Sequence, residues 1–353
     1  MKMDIKSKWP IAALSLIGMA SSVSAARDDR CAPERPANCY ADDCKHCYCL
    51  GPDNYGVNAP TCPKTCNGDI TITVAGFYWN GHQDGMEYAI DNHVKAPVTS
   101  AITGLSDTQV LNRLIDAKFL TPDFDWDWGF KIGLSYCSPC DGWDIGVLWT
   151  WYQGSANDHV EREIDDNASL LPIWSAYAPL IGGVLFATDI ETHWKLKLNL
   201  VDIELGRSFW TSKYLSMRPF VGIRIAYIDQ TYEIEHKGGS WSATSTTAPS
   251  QTAFNNEVRL ENDFKSAGLR GGLNTLWNFG CGWGLYGNFA MSILYGRFDI
   301  DHDETNRNAR SPHEKAKIAD AKNSFRVSRG AADLALGFQW QTMFCDCQYG
   351  FMI

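Results

Sequence analysis

From Ile70 onward, apolar residues recur at every second position in a series of short stretches, the spacing of β-strands that turn one face toward an apolar phase. In 129–137, Phe130, Ile132, Leu134 and Tyr136 share one face and Lys131, Gly133 and Ser135 the other. In 143–152, Trp143, Ile145, Val147, Trp149 and Trp151 oppose Asp144, Gly146 and Thr150. In 218–228, Pro219, Val221, Ile223, Ile225 and Tyr227 oppose Arg218, Gly222 and Arg224. The same alternation predicts strands over 70–78, 267–277, 285–295 and 332–340, with Arg270, Asn274, Asn288, Ser292, Asp333 and Gln339 on their polar faces. The first of these has a candidate extension through Glu87, Tyr88 and Ala89. The segment 193–205 changes step, from Trp194, Leu196 and Leu198 to Val201, Ile203 and Leu205. One β-bulge near Leu200 predicts Lys195, Lys197, Asp202 and Glu204 together on the polar face.

Each stretch has about the nine to eleven residues that a tilted strand needs to cross a bilayer. Aromatic side chains gather at the strand ends, among them Trp143, Trp149, Trp151, Trp194, Tyr227, Trp277, Trp283, Tyr295 and Trp340, as rings at two membrane interfaces do. Long polar connections at 92–127, 154–191, 230–260 and 299–324 alternate with short turns. The fold class predicted is all-β: an antiparallel transmembrane β-barrel of about 8–10 strands with long extracellular loops and short periplasmic turns. A soluble β-sandwich also alternates, but it seldom exposes so many Trp at strand ends. Counted by parity, eight strands end by Trp340 and a ninth begins at Gln348 and stops at Ile353. That stump either pairs with the first strand or marks a chain cut short.

The N-terminus reads as an export leader over 1–25. Lys2, Lys6 and Lys8 form a positive region, an apolar stretch follows, and Val23-Ser-Ala25 is a small-residue cleavage site. The apolar stretch is too short for an anchor helix. A cysteine-rich periplasmic segment over 26–68 and a barrel over 69–353 complete the organisation. In an oxidising compartment all twelve cysteines are disulfide candidates. They are Cys31, Cys39, Cys44, Cys47, Cys49, Cys62 and Cys66 in the segment, and Cys137, Cys140, Cys281, Cys345 and Cys347 in the short turns. The odd number in the segment leaves at least one to reach outside it, and the connectivity stays open. Cys44-Lys-His-Cys47-Tyr-Cys49 with Cys62 and Cys66 has metal-ligand spacing, but disulfides are the simpler reading and no metal or other cofactor is expected.

The full chain carries a net charge of −10, and loss of the leader makes it more acidic, which argues against nucleic acid as a partner. Lys131, Lys195, Lys197, Arg218, Arg224, Arg270 and Arg329 against Asp144, Asp202, Glu204 and Asp333 give a mixed, slightly cationic lumen suited to small anionic or zwitterionic solutes. Alternatively these charges pair across a narrow barrel and seal it. The uncharged segment 170–187 contains Pro172, Pro179, Gly182 and Gly183, so it reads as a loop folding into the barrel mouth, or an extension of the following strand, rather than as a membrane helix. His82, His93, His159, His236, His302 and His313 lie in polar connections, no Gly-x-Ser-x-Gly elbow occurs, and no enzyme activity is predicted.

The run Leu215-Ser-Met-Arg-Pro-Phe-Val-Gly-Ile-Arg224, continuing through Tyr227-Ile-Asp-Gln230, resembles the major outer membrane protein family of Legionella and the environmental chlamydia-like bacteria. Val201-Asp-Ile-Glu-Leu-Gly-Arg207, Gly268-Leu-Arg-Gly-Gly272, the run from Trp277 to Asn288, Phe130-Lys-Ile-Gly-Leu134 and Asp141-Gly-Trp143 carry the same resemblance, over most of 69–350. It implies an outer-membrane barrel with porin activity in an envelope held together by disulfides. Family members continue past the Cys345-Asp-Cys347 turn through a further hairpin ending in Phe, which this sequence lacks. The reading is a porin-like protein linked into the envelope; a non-conducting structural or adhesin-like surface barrel is the rival. Outer membrane lipids, reached partly through loop-edge Lys and Arg, disulfide-linked envelope proteins and a second copy of the chain are the candidate partners.

Overall fold

The structure, a computed structural model, describes residues 18–24, 61, 68–93, 117–138, 142–162, 168–175, 187–237, 242–243, 251–308, 314–344 and 349–353. Among them it has strands and no helix. The strands are β1 (Gly18–Ser24), β2 (Asp69–Asn80), β3 (Ala89–His93), β4 (Lys118–Leu120), β5 (Asp123–Phe124), β6 (Trp126–Cys137), β7 (Trp143–Glu161) and β8 (Ala168–Pro172). They continue as β9 (Asp189–Arg207), β10 (Phe209–Trp210), β11 (Leu215–Lys237), β12 (Ser242–Ala243), β13 (Gln251–Gly280), β14 (Trp283–Asn308), β15 (Lys315–Phe344) and β16 (Tyr349–Met352).

Hydrogen-bonded neighbours can be followed in the order β11, β9, β7, β6, β2, β1, β16, β15, β14, β13, and β13 then pairs with β11, where the path began. All these pairings are antiparallel. The period-two faces fall as the alternation predicts. Ile132, Leu134, Ile145, Val147, Val221, Ile223, Leu269, Ile293, Leu334 and Leu336 are all exposed on the outside. Asp144, Asp202, Arg224 and Ser292 are buried on the inside. An apolar exterior around a polar interior inverts the arrangement of a soluble β-sandwich.

The strands run far beyond the stretches read from the sequence, to 30 residues in β13 and in β15. Much of 230–260 and 299–324, expected as connections, is therefore strand. The pleat continues there while the outer face changes from apolar to charged, and cross-strand ion pairs join Arg259 to Glu233 at 2.8 Å and Lys317 to Asp303 at 2.6 Å. The apolar half of the alternation stops at this level, and with it the signal that marks a strand. The expected extension of the first strand is also corrected. β2 ends at Asn80, and Tyr88 and Ala89 turn inward to a separate small sheet in the order β4, β3, β8.

No bulge occurs near Leu200. Pairing runs without a shift from Asp189 to Arg207 against β7 and from Asp189 to Gly206 against β11. The parity that puts Asp202 inside therefore puts Trp194, Leu196, Leu198 and Leu200 inside too. Lys195 and Lys197 face outward, the reverse of the expectation, because Trp194 is needed in an interior core and is only 1% exposed. Trp194 is accordingly no interfacial ring.

The stump at the C-terminus, β16, does not meet β2. It pairs with β15 and with β1, and β1 pairs in turn with β2. Since β2 and β16 each run antiparallel to β1, they are parallel to one another. β1 falls within the segment read as an export leader.

Candidate pore interior and its charge cluster

The alternation delivers charges from several strands to one level of the interior. Arg224 on β11 donates through Nε and Nη2 to both carboxylate oxygens of Asp202 on β9, at 2.6 and 2.8 Å. It also reaches Asp333 on β15 at 2.8 Å. Arg270 on β13 holds Glu204 at 3.1 Å and bonds Asp333 as well. Arg218 grips Asp144 on β7, with Nη2 at 2.5 Å and Nε at 2.9 Å, and Glu204 at 3.0 Å. Lys131, the fourth cation, lies within electrostatic reach of Asp333 and Asp202, and its Nζ sits 5.5 and 5.3 Å from the ring centres of Phe77 and Trp79.

These four cations and four carboxylates balance. Each guanidinium has at least two carboxylate partners, so its planar fork is satisfied in geometry that offsets the cost of removing it from water. Burial is uneven. The Asp202 and Arg224 side chains are 3% and 6% exposed, whereas Asp333 is 43% exposed, so water reaches the cluster from the β15 side. Arg329, also on the inner face of β15, is exposed, forms no ion pair among the described residues, and stands 5.3 Å from the Phe298 ring. Of the predicted lumen residues, Lys131, Asp144, Asp202, Glu204, Arg218, Arg224, Arg270, Arg329 and Asp333 thus share the interior, and Lys195 and Lys197 do not. Those two line an open hollow on the outer face with His193, Asp229, Thr231, Glu233 and Arg259.

Above the cluster, segments between strands fold back into the interior. Met86, Tyr88, Ala89, Leu120, Leu170 and Ala187 pack with Trp194, Tyr232, Ile234 and Val258 in one buried core. The Tyr232 hydroxyl donates to the Met86 carbonyl at 3.1 Å, Trp174 Nε1 to the Glu87 carbonyl at 2.7 Å, and Arg162 pairs with Asp91 at 2.6 Å. The expectation that 170–187 turns into the mouth holds for its described residues, 170–175 and 187; the part 176–186 lies outside them. A polar latch fixes this plug. Ser175 Oγ donates to Glu304 at 2.5 Å, Asn256 Nδ2 donates to Glu304 and Asn306 at 2.6 Å each, and His236 Nδ1 donates to Asn256 at 2.9 Å. His236, Asn256 and Glu304 are fully buried. Sequence reasoning missed all three; extending the inner-face parity of 218–228 and 285–295 upward would have marked His236 and Glu304.

Residues 61–352 match the family model of the Legionella pneumophila major outer membrane protein precursor. The chain belongs to this family. The matched span takes in every strand of the ring except β1, together with the whole charge cluster and the described part of the plug. No curated protein and no solved structure matches the chain. An outer membrane protein family accords with the apolar exterior of the strands.

At the end opposite the plug, short turns are stitched together by backbone hydrogen bonds. Ser208 donates to Gly142 at 3.1 Å, Asn278 to Tyr214 at 2.7 Å and Gln341 to Gly282 at 2.9 Å. Thr61 donates to Ser208 at 3.1 Å and so also lies at this end. The β13–β14 turn takes left-handed backbone at Gly280, Cys281 and Gly282, with φ of 106°, 51° and 84°, and a side chain at Gly282 would collide with the Gln341 carbonyl. Cys137 and Cys281, both at this end, each take part in a disulfide. The other disulfide candidates lie outside the described residues, as does the Cys44–Cys66 spacing weighed as a metal site.

Proposed function

We propose that this protein is an outer-membrane porin through which small hydrophilic solutes diffuse, with a closed transmembrane barrel formed by the ring of strands. One observation carries the reading: the pairings return on themselves around a wall that is apolar outside and charged inside. Membership of an outer membrane protein family supports it. The plug marks the extracellular mouth, the short turns face the periplasm, and disulfides at that end tie the barrel into the envelope. Export uses the leader at 1–25. Its removal takes β1 away and leaves β2 and β16 to meet in parallel or through another strand.

In this reading Arg329 and the water-exposed side of Asp333 face the solute path, while the paired arginines set the field along it. The rival, a non-conducting structural or adhesin-like surface barrel, is favoured by a different observation: the interior charges satisfy one another and the mouth is filled by the β3, β4 and β8 sheet. Single-channel recording of the refolded chain in planar bilayers, with and without reductant, separates the two. Discrete conductance steps are expected. Silence from protein shown to be folded and inserted would overturn the porin reading in favour of the rival.

A further inference from the structure

The outer face changes character abruptly on three adjacent strands. Below the change, Ile223, Leu269 and Ile293 are exposed at register-matched positions, followed by Ile225, Ala267 and Tyr295. One outward position higher, Lys265 pairs across β13–β14 with Arg297, and Arg297 pairs across β14–β15 with Arg326. Tyr227 completes the row on β11, opposite Lys265. Three cations therefore stand side by side, about 4.8 Å from strand to strand, at the upper edge of an apolar band and beside the exposed rings of Tyr227 and Tyr295.

These cations are only lightly used by the fold. All three are exposed, and Lys265 and Arg326 form no ion pair among the described residues. Arg297 has Asp299, on its own strand, at 2.8 Å and the Ser324 hydroxyl on β15 at 2.6 Å, yet its side chain stays 57% exposed and meets a single carboxylate. The charges higher on the same face behave differently, since Arg259, Lys317 and Lys322 are each paired across strands or within one. Directly above the cationic row lie Asp229, Asp263 and Asp299, again neighbours in register. An anion reaching the cations therefore approaches from the apolar side, below this acidic row, and not from the water above.

We propose that Lys265, Arg297 and Arg326 form a binding site for the phosphate of a lipid headgroup in the outer leaflet, whose acyl chains lie along Ile225, Ala267, Leu269 and Ile293. The occupant is a lipid because the cations border an apolar band on one side and carboxylates on the other, so its anionic group and its apolar group are both matched. Lys and Arg at a membrane interface hold anionic lipid in this way, each Lys or Arg near a charged surface contributing about a fivefold change in partition. This inference rests on the barrel reading proposed above.

The test uses the full chain inserted into phosphatidylcholine vesicles that contain about one-fifth phosphorylated lipid A, a fraction chosen on the order needed for a measurable surface potential. Strand content by circular dichroism and protection from added protease report insertion. Lipid retained after gentle detergent extraction is then counted by native mass spectrometry. The parent is expected to retain lipid A in preference to phosphatidylcholine. The combined variant Lys265→Gln, Arg297→Gln, Arg326→Gln is expected to lose that preference at least about tenfold. Lys265→Arg, Arg297→Lys, Arg326→Lys is expected to keep it, and inorganic phosphate is not expected to compete at matched concentration. Equal retention by parent and Gln variant, with both inserted, overturns the site alone. Failure of the parent to insert overturns the barrel reading beneath it. Displacement by inorganic phosphate overturns the lipid assignment by showing a simple anion site.

Discussion

Arg218 reaches Asp144 across an intervening strand, and Gly206 is what lets it pass. The two charged residues sit on β11 and β7, and Gly206 on β9 pairs with Asp144 on one side and Phe220 on the other. A Cβ at Gly206 would lie 2.7 Å from Arg218 Nε and 2.8 Å from its Cζ. Gly206→Val is therefore expected to swing the guanidinium off Asp144 and leave a buried carboxylate unpaired, at a cost of about 3–5 kcal/mol. Chemical unfolding from detergent micelles measures it. A variant as stable as the parent would show that Arg218 finds an equivalent partner, and the strand-crossing pair would lose its claimed weight.

Arg224 joins Asp202 to Asp333, linking β9 to β15 across the interior. Arg224→Met keeps much of the volume but strips both carboxylates of a partner, and Asp333 is already open to water. In a conducting barrel the local field turns negative. The reversal potential in a salt gradient is expected to move toward cation selectivity, and Asp333→Asn added to the same chain is expected to move it part of the way back. No shift in either variant would place the solute path away from this cluster.

What the sequence made legible was the part of each strand whose outer face is apolar. Val147, Ile223 and Leu269 alternate with polar residues because the outer face is apolar and the inner face polar, and that contrast fixes strand, register and interior side together. Above the apolar band the outer faces of β13–β15 turn charged, so 299–308 and 315–324 read as loop although the pleat continues. The step at Leu200 misled for a related reason. Trp194 and Leu196 are apolar because a folded-back plug covers them from inside, and nothing in β9 itself tells an apolar residue that faces a plug from one that faces outward. The place of β1 between β16 and β2 had no signal in composition or spacing.

Lys195 and Lys197 provide a direct check of that correction. Their side chains lie on the outer face of β9 above the apolar band, away from the interior, while Lys131 stands over Phe77 and Trp79 inside. Lys195→Gln with Lys197→Gln is expected to leave conductance and ion selectivity unchanged. Lys131→Gln is expected to remove one interior cation and raise cation selectivity. The opposite pattern in bilayer recordings would restore the bulge near Leu200 and reverse the faces of the upper half of β9.

The buried latch at the mouth should make the plug sensitive to acid. Burial lowers the His236 imidazole from an ordinary value of 6.5 to about 4, against the smaller opposing effects of Asn256, Glu304 and Glu235. Folded protein therefore keeps this ring neutral down to about pH 4, whereas a chain with the latch opened takes up the proton near pH 6.5. Between those values the opened state binds more protons, so closure weakens as pH falls and is unaffected above about 6.5, with a full effect on the order of 3 kcal/mol. Amide hydrogen exchange over 168–175 and 86–93, corrected for its intrinsic pH dependence, is expected to accelerate between pH 7 and pH 5. His236→Gln, which keeps a polar group against Asn256 but cannot titrate there, is expected to flatten that change. An equal acceleration in the variant would mean that another group, and not the imidazole, opens the mouth.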